Sequence, residues 1–569
     1  MAVRRSMFGG PEGHIAHELR PSCRAPSNAP SVTSIARSPR RGTHSMLIHA
    51  SLRKHGGTAA RPNGVRIHTL IDQCGLGAFQ LCSVLILCGL AFCLGAQASV
   101  AATLLEVLTQ RRALSPWHVG QLLYWQYLGQ AIGTVVSGVL SDLYGRRKVL
   151  IWTPVGLVLV ALAGTLTSEY TIMATTRCLC GFVSGWGLTA SMALLVEVSP
   201  MPWRPAFFAA YNMSFAVGEL FAYSGALIWV PEVGQVENWR KLCWWVALPP
   251  LMVAPVVVAC LTESAHWLAV DGNVSGASAV LYRMALMNSA PDLLMMLGGT
   301  ECAKPRTLGN MHPAMLLPPA PATASSLVTR QKILDHLFWL RRSPIKLVIF
   351  GMMCGCGGLA SFGTSCIWKQ ILTQLGGSNL YAGHVEETMT IRAAGVPAVL
   401  VNLMMLSYPA LGYQQNLAGM SIAYVLSFLG MIYAGQWSTS LMIACGMVSV
   451  VASGVLSTTT MTFLCESFPT QVRASSTGLA LSLGKLMSMV PPVVLALCGG
   501  TALLHVVCVM VILAQALAML VPETKGENLE DYVQDFMSEC LDDNSLEAFV
   551  ALRGTPGHKK RFFDDDVLL

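Results

Sequence analysis

The residues that could do chemistry are a few ionisable side chains within long apolar runs. Lys485 and Glu219 lie deep inside such runs, and Arg392 lies a few residues inside another. A charge in an apolar span is costly and normally faces a watery cavity, so these side chains are candidates for binding a solute or an ion. The sequence shows no nucleophile, paired catalytic carboxylates, Gly-rich phosphate loop or metal-spaced Cys/His cluster. We therefore expect no enzyme, no cofactor and no metal site.

The chemistry expected of Lys485 is the binding of an anion, because an ammonium near the middle of a membrane can hold a carboxylate as a point charge. Other polar and aromatic residues could line the same cavity: Gln97, Tyr211, Asn212, Tyr223 and Trp368. Two alternatives stay open. Lys485 could instead pair with Glu219 across the two halves of the chain, and the lining residues could simply pack between helices. Both readings hold together if substrate competes for Lys485 and frees Glu219 to take a proton.

The elements that must position these residues are membrane-spanning helices. The 569 residues are 53% hydrophobic and only 12% charged, with a mean hydropathy of +0.54, which excludes a set of soluble domains. Apolar windows predict an all-α membrane protein with twelve transmembrane helices, six in each half. The predicted spans are 79–105, 117–140, 149–168, 171–196, 205–230, 242–262, 346–372, 388–408, 416–436, 440–464, 474–498 and 500–521.

These spans divide the chain into five segments. They are a disordered basic cytoplasmic N-terminus (1–67), a six-helix half (68–262), a cytoplasmic connector with surface helices (263–345), a second six-helix half (346–521) and an acidic cytoplasmic tail (522–569). Residues 1–67 carry eleven Lys/Arg and two acidic residues, which favours a cytoplasmic N-terminus. Because the number of predicted spans is even, the C-terminus is expected on the cytoplasmic side too. The alternative for residues 1–67 is an organellar transit peptide. The net charge of +7 is a topology signal, and we expect no nucleic-acid partner.

A charged turn connects the second and third spans. Its pattern is G-x-x-x-D-x-x-G-R-R, with Gly138, Asp142, Gly145, Arg146 and Arg147 at the fixed positions. Gly138 allows close helix packing, Gly145 permits a tight turn, and Asp142 can cap a helix or meet an arginine. The alternative is that the basic residues are only a topology signal.

An internal repeat indicates that the chain arose by duplication. The pattern E-x-x-P-x-x-x-R occurs at Glu197 to Arg204 and again at Glu466 to Arg473, 269 residues later. Each half also ends in a second acidic turn, at Glu263 and at Glu523. Two six-helix halves related by duplication are typical of carriers that rock around a central site.

Three features resemble the major facilitator superfamily, most closely its synaptic-vesicle-like and organic-ion branch. They are the pattern of the charged turn, the internal repeat and the segment from Arg177 to Gly185. The resemblance covers about 68–530. It implies a cytoplasmic ion-pair network that holds the outward-open state and breaks on inward opening: Asp142, Arg146, Arg147, Arg177, Glu197, Arg204 and Glu263. Asp142 or Glu197 is the expected partner of Arg177. A weaker network of Glu466, Arg473 and Glu523 is expected in the second half.

The same resemblance implies secondary-active or facilitative transport of a small organic solute by alternating access. The organic-anion carriers that this chain resembles have an arginine at the position of Lys485. The resemblance therefore favours an organic anion as the substrate. The first span of this branch usually carries two acidic residues, and this chain has Gly95 and Ala98 at those positions. Proton coupling that depends on those two acids is therefore not expected. The alternatives are a sugar or polyol porter and a non-transporting receptor or trafficking protein with a carrier fold.

The expected partners are the solute, protons and the lipid bilayer, and the expected state is a monomer. The C-terminus matches an acidic dileucine motif, Asp564, Leu568 and Leu569, which a sorting adaptor could read. This predicts a multi-pass protein of the plasma membrane or of endosomal or vesicular membranes.

Overall fold

The computed structural model describes residues 67–112, 116–165, 169–229, 239–271, 273–291, 344–374, 389–390, 392–407, 411–434 and 439–525. These residues form helices and contain no strand. Several predicted features lie outside the described residues: most of the N-terminal segment 1–67, the connector from 292 to 343, the tail from 526 and, within it, the motif Asp564, Leu568 and Leu569.

The first group of helices runs from the N-terminal side of the described chain to the connector. It contains α1 (Ile67–Cys74), α2 (Ala78–Arg112), α3 (Pro116–Tyr144), α4 (Arg146–Ala163), α5 (Tyr170–Val198), α6 (Arg204–Trp229) and α7 (Trp239–Cys260). Two short helices of the connector follow, α8 (Ala265–Val270) and α9 (Val274–Met287).

The second group follows the connector. It contains α10 (Pro344–Gln374), α11 (Ala398–Ser407), α12 (Tyr413–Ala434), α13 (Thr439–Glu466), α14 (Arg473–Met487) and α15 (Val490–Ala518). Within the described residues, four helical stretches are long and apolar enough to cross a membrane: Ala78–Val100, Tyr170–Val198, Arg240–Cys260 and Ile443–Glu466.

The break between α14 and α15 differs from the sequence expectation. The predicted boundary at 498/500 falls inside α15, and the observed break is at Ser488 and Met489. Pro491 lies in the first turn of α15, where its missing N–H costs no helical hydrogen bond. The break therefore precedes the prolines, and Lys485 lies in the last turn of α14.

Glycines set the closest helix crossings. A Cβ at Gly95 would overlap the carbonyl oxygen of Phe215, and one at Gly218 would overlap that of Phe92. Helices α2 and α6 therefore touch backbone to backbone at this level. This packing accounts for the missing acid at position 95, because no side chain fits there.

Candidate functional site

The charged turn between α3 and α4 buries Arg146 completely. Its Nη2 atom lies 2.9 Å from Asp142 Oδ1 and 3.0 Å from Glu197 Oε1, and all three side chains are fully buried. A buried guanidinium is stable only when carboxylates and hydrogen bonds surround it. The turn itself needs Gly145, whose φ of 105° is unfavourable for residues with a Cβ.

Glu263 holds the start of α4 through the backbone. Its Oε1 accepts hydrogen bonds from the N–H groups of Arg146 at 2.9 Å, Arg147 at 3.2 Å and Ser264 at 3.0 Å. The carboxylate thus satisfies donors that a helix N-terminus leaves open. Burial raises the pKa of Glu263, although these backbone donors favour its ionised form.

Arg147 does not join an ion pair of this network in the described residues. Its Nε donates to the carbonyl of Leu261 at 2.7 Å and its Nη2 to that of Val258 at 2.9 Å. The side chain therefore closes the C-terminal end of α7, where free carbonyls remain. Arg147 serves the packing of α4 against α7.

The two copies of the repeated motif exchange partners across the helix groups. Arg473 Nη1 lies 3.0 Å from Glu197 Oε1, and Arg204 Nη1 lies 3.8 Å from Glu466 Oε1. Each motif thus gives its carboxylate to the arginine of the other motif. We call the six residues Asp142, Arg146, Glu197, Arg204, Glu466 and Arg473 the hinge network.

Helix α14 is fixed to the charged turn by its first residues. Asp142 Oδ2 accepts a hydrogen bond of 2.7 Å from the N–H of Ser475, in the first turn of α14. Arg146 Nη2 donates to the carbonyl of Thr470 at 2.9 Å. Gly138 allows this approach, since a Cβ there would lie 2.5 Å from the carbonyl oxygen of Ala474.

The three residues predicted to form a weaker network in the second half do not contact one another as ion pairs in the described part of the chain. Glu466 and Arg473 pair with the first group of helices instead of with each other. Glu523 accepts a hydrogen bond of 3.1 Å from the N–H of Gln414, in the first turn of α12, and Gly412 lies against its carboxylate. Glu523 therefore holds α12 as Glu263 holds α4, although the turn at 411–417 carries no charge.

A second cluster of charges lies between the helix groups, farther from the hinge. Arg392 Nη1 lies 3.5 Å from Glu219 Oε2, with side-chain exposures of 29% and 18%. Tyr223 hydrogen-bonds to Arg392, and Tyr127 lies close to it. The structure thus pairs Glu219 with Arg392. The alternative left open by the sequence was a pair of Glu219 with Lys485. Sequence reasoning missed Tyr127.

Lys485 faces this cluster from α14. On the facing helices α3 and α14, Thr134 packs against Gly478. Tyr127 and Lys485 each lie seven residues farther from the hinge, on the same helix faces and about 10 Å beyond that contact. Lys485 is partly exposed, its electrostatic neighbours include Glu219, and it forms no ion pair among the described residues.

The predicted lining residues have varied surroundings. The Tyr211 hydroxyl is buried against the Ser191 hydroxyl at 2.6 Å, and Gln97 Nε2 donates to Cys180 Sγ at 2.7 Å. Both contacts lie within the first helix group. Asn212 Nδ2 donates to Thr458 Oγ1 at 2.9 Å and so bridges the two groups. Trp368 lies on α10, in the stretch 361–374 where only the backbone is described.

The expected pairing of Arg177 with Asp142 or Glu197 was wrong. Arg177 and Glu197 lie on the same helix, α5, twenty residues apart. At 1.5 Å per residue the separation is about 30 Å, so Arg177 lies near the opposite end of the helix. Its neighbours are Cys243 and the end of α4 at Gly164.

These contacts define a helical membrane protein in which two groups of helices meet through buried ion pairs on one side of a charged cluster. Residues 87–492 match the family model of the Major Facilitator Superfamily, and the chain belongs to this superfamily. It is an integral, multi-pass membrane protein of a transporter family. This confirms the family resemblance of the sequence motifs.

Individual known proteins resemble the chain over most of its length. Rat solute carrier family 22 member 7 is 25% identical over 72% of this chain and 70% of its own length. The probable metabolite transport protein CsbC of Bacillus subtilis is 24% identical over 71% of this chain and 83% of its own length. The proton:xylose symporter XylE of E. coli, bound to a bromodeoxyglucose, has the same fold, with a TM-score of 0.63, 16% identity, and coverage of 80% of this chain and 99% of XylE.

Proposed function

We propose that this protein moves a small organic anion across its membrane by alternating access, as a secondary-active or facilitative carrier. The observation that carries the proposal is the charge balance of the cluster between the helix groups. Glu219 and Arg392 form an ion pair and neutralise one another, while the ammonium of Lys485 has no such partner in the described residues. Counted over the described side chains, the cluster therefore keeps one positive charge.

The position of Lys485 supports a role in binding. It lies in the last turn of α14, directly before the break at Ser488 and Met489. Broken helices at the midplane form the substrate sites of many carriers, and the negative end of the helix dipole favours an ammonium there. A substrate carboxylate would meet Lys485 as a point charge, with Tyr127 and Tyr223 beside it.

The hinge network supports alternating access. Glu197 with Arg473, Arg204 with Glu466, and Asp142 with the start of α14 all connect the two helix groups on the hinge side. Separation of the groups on that side has to break all three contacts. We infer that the described conformation is closed on the hinge side, which by the charge of the turn is the cytoplasmic side.

The proposed architecture is twelve transmembrane helices in two duplicated halves, with both termini cytoplasmic. Its support is the correspondence of contacts: Glu263 holds α4 beside Gly145, and Glu523 holds α12 beside Gly412. The five segments predicted from the sequence are part of this proposal. The named relatives, a solute carrier and a metabolite transport protein, agree with transport of a small solute.

The test is uptake into proteoliposomes of four labelled solutes: an aromatic carboxylate, an organic cation, a hexose and phosphate. Wild type is compared with Lys485→Ala and with Lys148→Ala, which removes a lysine exposed at the hinge. We expect carboxylate uptake that Lys485→Ala abolishes and Lys148→Ala preserves. Uptake of hexose alone, or carboxylate uptake that survives Lys485→Ala, would overturn the proposal.

Coupling to protons is tested in the same vesicles by an imposed pH gradient. A substrate carboxylate that takes the place of Glu219 on Arg392 would leave the Glu219 carboxylate to bind a proton. Faster carboxylate uptake down the proton gradient, lost in Glu219→Gln, is the expected result for symport. Uptake that ignores the gradient assigns facilitative transport.

A further inference from the structure

Among the residues that the structure describes, one buried guanidinium on the side of the molecule away from the hinge has no carboxylate partner. Arg177 is only 7% exposed, and its Nη1 atom has no hydrogen-bond partner in the described part of the chain. Among the described residues no Asp or Glu oxygen lies within 4.0 Å of it. Glu169 precedes α5 and is eight residues away, which is about 12 Å along the helix.

The described groups around Arg177 do not supply a full negative charge. Cys180 and Cys243 interact electrostatically with Arg177, and both are buried thiols. Gln97 reaches the same place from α2, since its amide donates to Cys180 Sγ. At the position of α2 that contacts α5 here, this chain has the neutral amide of Gln97.

The end of helix α4 offers part of the compensation. Arg177 lies against its C-terminal cap at Gly164, and Arg240 Nε donates to the carbonyl of Thr165 at 3.0 Å. A helix C-terminus carries roughly half a negative charge. Half a unit of negative charge compensates only part of the full positive charge of Arg177.

We propose that Arg177 binds a small monovalent inorganic anion, chloride in the cell, as a fixed counter-ion inside the first helix group. A buried ion is tolerated only when another charge compensates it, and the described protein groups leave this one to the solution. The site is separate from Lys485, which lies on α14 in the other helix group. The proposal does not depend on the identity of the transported solute.

The experiment measures thermal unfolding of the purified full-length protein by tryptophan fluorescence. Sodium gluconate is replaced stepwise by sodium chloride at constant ionic strength, and bromide and nitrate serve as alternative anions. Three variants accompany wild type: Arg177→Gln, the matched control Arg240→Gln, and Gln97→Glu, which places a carboxylate beside Arg177. Lys485→Ala is included to separate this site from the proposed substrate site.

We expect chloride to raise the melting temperature of wild type, Arg240→Gln and Lys485→Ala by several degrees, in a saturable manner. Arg177→Gln should lose the response. Gln97→Glu should melt in gluconate at the temperature that wild type reaches in chloride, because the new carboxylate takes the place of the anion. It should respond no further to chloride.

The proposal is overturned if wild type does not respond to chloride, or if Arg177→Gln responds as wild type does. A response lost in Lys485→Ala would place the anion in the cluster of Glu219, Arg392 and Lys485, and would equally overturn the proposal. If Arg177→Gln does not fold, Gln97→Glu decides: a chloride response of wild-type size in that variant rejects the site. Loss of carboxylate uptake in Lys485→Ala with an intact chloride response leaves both proposals standing.

Discussion

The substitution Glu197→Gln tests whether the hinge network holds the two helix groups together. Glu197 Oε1 lies 3.0 Å from Arg146 and 3.0 Å from Arg473, and all three side chains are fully buried. The amide keeps the shape and one acceptor but removes the charge. Arg146 retains Asp142 at 2.9 Å, whereas Arg473 is left with two backbone carbonyls.

The size of the effect follows from what each conformation loses. Breaking a buried ion pair by removing one partner costs about 3–5 kcal/mol. The part that involves Arg146 lies within one helix group and is lost in both conformations. The part that involves Arg473 is lost only when the hinge side is closed, since Arg473 moves away and is hydrated when that side opens. A cost of about 2 kcal/mol that falls only on the closed conformation lowers the closed-to-open ratio roughly 30-fold. Glu197→Gln should therefore populate the conformation that is open on the hinge side.

The assay is the distance distribution between spin labels at the exposed residues Tyr144 and Gln471, on opposite sides of the hinge interface. Labels are attached through unnatural amino acids, because the chain has 18 cysteines. Glu466→Gln is the matched control: it makes the same change in the other copy of the motif, where the pair is looser at 3.8 Å. An unchanged distribution in Glu197→Gln, or an equal shift in both variants, would refute the reasoning.

Two further predictions concern the charged turn between α3 and α4. Gly138→Ala places a Cβ 2.5 Å from the carbonyl oxygen of Ala474, which should destabilise the closed conformation by about 1–3 kcal/mol. The spin labels should then report more of the open conformation. The control Gly357→Ala, whose Cβ meets no atom within 4 Å, should leave the distance distribution unchanged. Burial raises the pKa of Glu263, so its contribution to stability is full below the unfolded pKa of about 4.3 and is lost as pH rises through the higher folded value. Relative to Glu263→Gln, wild type should therefore lose melting temperature as pH rises through this window, and a parallel dependence in both proteins would contradict the sign.

Much of the hinge could be predicted from the sequence. The spacing of Asp142 and Arg146 puts both at one turn, and the structure pairs them at 2.9 Å. The repeat places Glu197 and Glu466 at equivalent helix ends. The exchange of partners could not be predicted, because a motif shows which residues share a helix end but not which helix end of the other half packs against it.

The error at Arg177 was avoidable by geometry. Arg177 and Glu197 belong to one apolar run, and a twenty-residue separation on one helix excludes contact between them. Tyr127 could also have been found. It continues the face of α3 that carries Thr134 and Gly138, at a spacing of seven and eleven residues.

The exchange of partners explains why the repeated motif suits a carrier that rocks. If Glu197 paired with Arg204, and Glu466 with Arg473, each pair would lie within one helix group and would survive any movement between the groups. The observed pairs, Glu197 with Arg473 and Glu466 with Arg204, exist only while the groups are in contact. Their free energy therefore acts on the conformational equilibrium rather than on the stability of either group. Unequal distances, 3.0 Å and 3.8 Å, further indicate that the Glu197 side of the interface carries the larger share, which Glu197→Gln and Glu466→Gln measure separately.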